Sequence, residues 1–494
     1  MNASTPTHRK VLGFSLLAVL LFCLPFFKME YATDTYTMIQ VGYRAFGDSM
    51  FQNGRLVTGA ALYLFDLFQP DIACFYYVSF ALAILFAWLA VTAMTNLLLK
   101  RFPFKIAFPM AFLTVLNPLS VEYFLFIEKG YFMLAICMSV LALVFFTEAL
   151  EGRYRRLPLS YLCLTVSAFT YQPLPGLFAV LAVPFALLHA KSFGRLVKSL
   201  LLAISIYGFG AFLNFLFIKL VGGSARAGDG IYFSNLWHSY LLAGPTVTPL
   251  IYLLFFTVLL LACIGSVKKK GYKAFSKQTF ALFGACAVTF AAALTVTFIP
   301  FLFTDPSAVW FPCRIIYPIG TLIGTLPLLF YATERKPEKP RWFSVFFRKP
   351  KPAPRQGSRA LTVLLLCSYI FFQVVMVGRL CNNMADHALC REIGGYIDEY
   401  ESATGNKITS VSIYYDTKLS KYNPGVLFLG DSNVRAFSKE WSDVAHMNVV
   451  LGRSFEKAPC SETVYAQFFA DQSWDSFHRD QLVFEGNTLH LCVY

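Results

Sequence analysis

Charge is what this 494-residue chain has little of: only 14% of its residues are Asp, Glu, Lys or Arg, where soluble domains carry about a quarter. That scarcity excludes an ordinary soluble globular protein. Acids are scarcer than bases, 28 against 42, for a net charge of +14. A basic excess can signal nucleic acid, but its placement argues otherwise. The densest runs, KKKGYK (268–273) and RKPEKPRWFSVFFRKPKPAPR (335–355), lie between apolar segments, where Lys and Arg mark cytoplasmic loops. Nucleic acid is therefore not an expected partner. Also lacking are an HExxH zinc motif, a P-loop, a GxGxxG dinucleotide turn and any CxxC-type metal spacing.

What is there is apolar: 57% hydrophobic residues and 52 phenylalanines, with a mean hydropathy of +0.56. A helix crossing a bilayer needs about 20 apolar residues, and inside the hydrocarbon the backbone must satisfy its own hydrogen bonds, which makes such runs helices. Runs near that length fall at about 11–27, 72–99, 106–126, 131–150, 157–172, 175–190, 199–219, 248–267, 279–303, 315–332 and 360–378. The expected fold is an all-α polytopic membrane protein of about eleven spans. Segment 11–27 lacks a small-x-small cleavage site and is read as a retained helix. Pro173 and Pro175 in YQPLPG predict a tight turn between two spans.

The basic residues set the orientation. With the N-terminus inside, cytoplasmic loops hold Lys100, Arg101, Lys105, Arg153, Arg155, Arg156, Lys191, Arg195, Lys198 and both dense runs. An odd number of spans then puts residues 379–494 outside. That segment changes character: IGGYIDEYES (393–402) reads as an amphipathic helix, and KITSVSIYYD (407–416) and VLFLGDS (426–432) as short strands. The chain divides into a membrane domain, 1–378, and a small extracytoplasmic α+β domain, 379–494. Of twelve cysteines, Cys381, Cys390, Cys460 and Cys492 lie in the latter, and a disulfide among them is left open.

Ionisable groups gather on the outer side. The first outer loop, 28–71, is long for a helical bundle and holds Glu30, Asp34, Arg44, Asp48 and Arg55. Its NGRLVTGAALYLFDLF part is amphipathic enough to lie in the membrane interface. Other outer segments add Glu128 and Lys129 (IEKGYF), Tyr171 and Gln172, Arg226 and Asp229 (ARAGDG), and Arg314 (FPCRIIYP). Singly, each is ordinary: an interfacial acid usually caps a helix in water, and an interfacial Arg usually snorkels. Together they would ring one cavity with both charge signs, which suits an anionic lipid-linked substrate and a polyhydroxylated acceptor. VLFLGDSN with DSFH (475–478) mimics a GDSL-hydrolase pair, but the spacing is too short for that fold, and Gly-Asp-Ser is ordinary turn chemistry.

The order of these features resembles the GtrII-type glucosyltransferases, bacterial multispan enzymes that modify O-antigen and related surface glycans. The resemblance rests on an acid after the first span (Asp34), Gly54–Arg55 in QNGRLVTG, Tyr171–Gln172 ending a middle span, and Arg314 opening a late one in CRIIYPIG. Relatives often carry adjacent acids after the first span, whereas Asp34 stands apart from Glu30 and Asp48. The resemblance implies a GT-C-like enzyme of the cytoplasmic (inner) membrane. Such an enzyme passes a sugar, typically glucose, from a polyprenyl-phosphate carrier to a surface glycan. It implies Asp34 as catalytic base and Arg55 with Arg314 at the donor phosphate; the outer-loop reading adds Glu30 as a second candidate acid and Arg44 as a further phosphate ligand. Asp48, Glu128, Lys129, Tyr171 and Gln172 would meet the donor and acceptor sugars. No cofactor is specified, and a divalent metal is left open. The alternatives are a lipid-linked glycan polymerase or ligase, and a transporter or flippase of a lipid-linked sugar.

Overall fold

The structure, a computed structural model, describes residues 8–190, 192–222, 230–236, 282, 284–309, 314–333, 355–415, 434–472, 474 and 476–493. The expected span 248–267, the KKKGYK run, Arg226, Asp229 and the VLFLGDSN segment lie outside the described residues. Among the described residues up to 220 there are ten α-helices: α1 (His8–Phe22), α2 (Thr33–Gln52), α3 (Leu56–Phe68), α4 (Ile72–Leu99), α5 (Phe104–Val115), α6 (Val121–Leu125), α7 (Lys129–Leu150), α8 (Leu157–Thr170), α9 (Gly176–His189) and α10 (Phe193–Leu220).

Among the described residues, five helices are long and apolar enough to cross a membrane: α4, α7, α10, Gly284–Phe303 and Leu361–Thr404. A sixth is obtained if α5 and Pro118–Leu125, bent by 41°, form one broken span. This is a helical membrane protein, with five or six full-length spans among the described residues. The runs at 157–172 and 175–190 become α8 and α9, of 14 residues each. At about 1.5 Å per residue such a helix covers only about 21 Å of a hydrocarbon core about 30 Å thick. The turn Tyr171–Pro175 separates them at the expected prolines.

Small and hydroxylated residues let the bundle pack closely, as helices must where lipid is as apolar as leucine. Ala83, Ala87 and Ala90 line the buried face of α4. At the α4–α7 contact a Cβ on Gly130 would stand 2.7 Å from the Ser79 carbonyl, and the Gly130 N–H donates to Ser79 Oγ at 3.0 Å. Between α7 and α8, Ser167 donates to the Ala135 carbonyl (2.9 Å) and Ser160 to that of Ala142 (2.8 Å).

The helix Arg355–Thr404 is 50 residues long and passes unbroken through position 379, so membrane and polar parts share one helix. Its polar end carries a four-stranded sheet of order β2-β1-β4-β3, where β1 is Ser410–Tyr415, β2 Glu456–Lys457, β3 Leu482–Glu485 and β4 Thr488–Val493. β1 runs parallel to both β2 and β4, and β3 and β4 form an antiparallel hairpin. Leu389, Ile393 and Ile397, one helical turn apart, pack with Val411, Ile413, Met447 and Leu489 in its core. The hairpin was not anticipated, although LVFE and TLHLCV flanking Gly486–Asn487 carry the turn chemistry for it. Cys381, Cys390 and Cys460 are free thiols, so no pair forms among the four cysteines of this region.

Candidate functional site

The bundle has two chemically distinct ends. At one, the C-termini of α4, α7 and α9 meet: Lys100 pairs with Glu151 at 3.2 Å and His189 approaches Glu151 at 3.6 Å, with Arg153 on Glu148 at 3.3 Å. At the other, α2, the α2–α3 turn, Ser307, Val309, Arg314 and the chain at Val434, Lys439 and Trp441 line a cavity of about 480 Å³.

Asp34, Arg55 and Arg314 all line that cavity. Asp34 lies in the first turn of α2, where the helix dipole favours negative charge. Arg55 is placed by its neighbour. Gly54 has φ +75°, and a Cβ there would sit 2.6 Å from Ile218 and 2.8 Å from Gln172, so both conformation and space demand glycine. The turn is clamped from two sides: Gln172 Nε2 donates to the Asn53 carbonyl at 2.5 Å and Asn214 Nδ2 to that of Gly54 at 2.7 Å.

Tyr171 joins the two arginines. The Arg55 guanidinium lies 4.7 Å from the centre of its ring, and Arg314 Nε donates to its hydroxyl at 3.0 Å. Arg314 also stands 4.3 Å from the Phe126 ring centre. Its backbone N–H donates to Glu122 Oε2 at 2.6 Å, and its guanidinium is 4.0 Å from the same oxygen. Glu122 is fully buried, so this carboxylate answers the Arg314 charge from beneath. Tyr123 donates its hydroxyl proton to the Arg314 carbonyl. The guanidinium thus meets three neighbours, Tyr171, Phe126 and Glu122, while Glu122 and Tyr123 fix the Arg314 backbone, so its position is preorganised.

Glu128 is buried at the turn before α7. Burial pushes its carboxyl up to about 7, with the Asp34 charge acting the same way and Arg55 and Arg314 opposing. Its electrostatic neighbours are therefore the cavity's charged groups, although it does not line the cavity.

Other candidates are placed elsewhere. Glu30 is buried, receiving a hydrogen bond from Asn383 Nδ2 at 3.4 Å; burial raises its carboxyl to about 7, against the pull of Arg379, Lys129 and Lys28. Lys129 is fully buried, with its ammonium 3.8 Å from the Tyr76 ring centre and 5.1 Å from that of Phe26. Arg44 and Asp48 are exposed on α2 beyond its break at Gly42 (φ 83°) and both meet Tyr63. Gln172 serves the α2–α3 turn.

Sequence reasoning missed Glu122, Tyr123, Lys439 and Trp441. The last two come from the C-terminal region and line the cavity with Asp34; Trp441 receives on its carbonyl a 2.8 Å hydrogen bond from Thr37, one turn after Asp34. No local signal links positions 400 residues apart. The lining holds three cations (Arg55, Arg314, Lys439) and one carboxylate (Asp34), a balance that favours an anion such as a phosphate. Among the described residues, no three His, Cys, Asp or Glu side chains gather as metal ligands. No family model, curated protein or solved structure matches the chain.

Proposed function

We propose that this protein is a membrane glycosyltransferase that moves a sugar, typically glucose, from a polyprenyl-phosphate carrier to a surface glycan at the outer face of the cytoplasmic membrane. The observation that carries the reading is the meeting of Asp34, Arg55 and Arg314 in one cavity. In the reaction, an acceptor hydroxyl oxygen bonds to the anomeric carbon as the bond from that carbon to the phosphate oxygen breaks. Asp34 takes the hydroxyl proton. The polyprenyl phosphate leaves with an added negative charge, which Arg55 and Arg314 neutralise.

The polar partition supports the proposed orientation, with the N-terminus inside and residues 379–494 outside; the eleven crossings remain part of the proposal. Lys100, Arg153 and Arg156 gather at the end opposite the cavity, and basic residues favour the cytoplasmic side. The test is Asp34→Asn. The variant is expected to insert normally and to lose about 10²-fold or more of its turnover, read by mass spectrometry of surface glycans from cells carrying it. Full glycan modification by the variant removes Asp34 from the mechanism.

A transporter of lipid-linked sugar is the second reading, favoured by the broken α5–α6 segment and the buried Glu122, Glu128 and Lys129 around it. Proteoliposomes given donor and acceptor on the same side separate the two, because only a transferase makes a new glycosidic bond there.

A further inference from the structure

The segment from Arg435 to Trp441 is held unusually firmly for a surface turn. Arg435 is buried and forms an ion pair with Asp386 of the long helix, Nε to Oδ1 at 2.6 Å. The other Asp386 oxygen accepts from the Ala436 N–H at 2.9 Å. Ser442 closes the turn onto the Ala436 carbonyl at 2.6 Å, and Lys457 Nζ donates to the Glu440 carbonyl at 2.6 Å. Thr37 fastens Trp441 to α2. With the backbone fixed on so many sides, Trp441 is nevertheless 50% exposed, while the cavity's other aromatic lining residue, Phe46, is 7% exposed. Lys439 lies 5.4 Å from the indole centre. A preorganised, half-exposed aromatic with an adjacent donor at the edge of a polar cavity has the composition of a sugar-binding surface: a flat apolar face for the ring's C–H groups and a donor for its hydroxyls.

We propose that Trp441 and Lys439 form the acceptor subsite, on which a pyranose of the surface glycan stacks against the indole and is presented to Asp34. The proposal rests on the glycosyl-transfer reading above and gives the C-terminal region its purpose: it carries acceptor recognition, while the α2–α3 turn and Arg314 carry the donor. The lining supports this division, since Arg55 and Arg314 belong to the membrane bundle and Lys439 and Trp441 to the polar region.

The test uses the full chain in proteoliposomes, a polyprenyl-phosphate-glucose donor and, as acceptor probe, surface polysaccharide released from cells lacking the gene. Trp441→Ala is expected to raise the acceptor KM about tenfold or more, as truncation of an aromatic anchor does, with the donor KM unchanged. Trp441→Phe should restore most of the acceptor affinity, and Lys439→Ala should show a smaller rise of the same kind. An unchanged acceptor KM in Trp441→Ala, the outcome for a membrane-interface anchor only, overturns the proposal, as does an equal rise in both KM values. Direct titration of the polysaccharide without donor separates this idea from the one beneath it. Trp441-dependent binding with no turnover by the wild-type chain keeps the subsite and ends glycosyl transfer from this donor. Turnover that ignores Trp441 keeps the transferase and ends the subsite.

Discussion

Tyr171 shows how one side chain can hold two charges. Its ring faces Arg55 and its hydroxyl accepts from Arg314, so substitutions can take the functions apart. Tyr171→Phe keeps the ring and removes the hydroxyl that accepts from the partly buried Arg314. It is expected to lower thermal stability by about 1 kcal/mol and to reduce turnover through Arg314, with Arg55 still in place. Melting curves and kinetics in detergent check both. Glu30 and Glu128 give a pH signature. Both are ordinary carboxyls raised to about 7 in the folded chain. The folded state therefore holds protons that the unfolded chain has already released at about pH 4.5. Their contribution is fully present below that pH and is lost as pH rises to about 7. Glu128→Gln is expected to flatten this fall in melting temperature; a pH profile of that variant parallel to the wild type contradicts the placement of Glu128.

At the scale of elements, the α2–α3 turn is the part on which Arg55 depends. Gly54→Ala adds a Cβ where Ile218 and Gln172 already stand, at a positive φ. The strained conformation costs about 1–2 kcal/mol, and the clash forces the turn away from Gln172 and Asn214. A melting temperature lowered by several degrees, with turnover reduced more than donor binding, is the expected result. The QNGR stretch was recognisable in sequence as a Gly-Arg pair on an amphipathic segment. The reason for its glycine was not, since the residues that crowd it come from α8–α9 and α10. Hydropathy located α4, α7 and α10 closely because a long apolar run leaves the backbone no other choice. It could not reveal that the run at 106–126 breaks after Leu116, where Asn117 and Pro118 start a new helical turn.

At the scale of the molecule, the buried Arg435–Asp386 pair anchors the polar region where it can reach the cavity. Removing one member leaves the other charge buried and unanswered, at a cost of about 3–5 kcal/mol. Asp386→Asn is therefore expected to loosen residues 434–441, to speed proteolysis of the C-terminal region, and to lower acceptor use while α4, α7 and α10 stay inserted. Limited proteolysis of membranes, read alongside glycan modification, checks the prediction. Normal modification with a loosened C-terminal region would make that region dispensable.

By itself the sequence determined the solvent in which this chain folds. A shortage of charge and long apolar runs require helices in a bilayer, and the basic residues cluster between those runs. It also singled out Asp34, Arg55, Tyr171 and Arg314, because ionisable and hydrogen-bonding groups at the ends of apolar helices stand out against so uniform a background. Only the tertiary structure decided that these four meet in and around one cavity, while Glu30, Lys129, Arg44 and Asp48 sit elsewhere. The physical reason is that convergence depends on helix packing angles, a break at Gly42 and a turn at Gly54, all set by contacts between residues far apart in the chain. The same holds for Lys439 and Trp441, whose place beside Asp34 is fixed by a buried ion pair and one threonine hydroxyl.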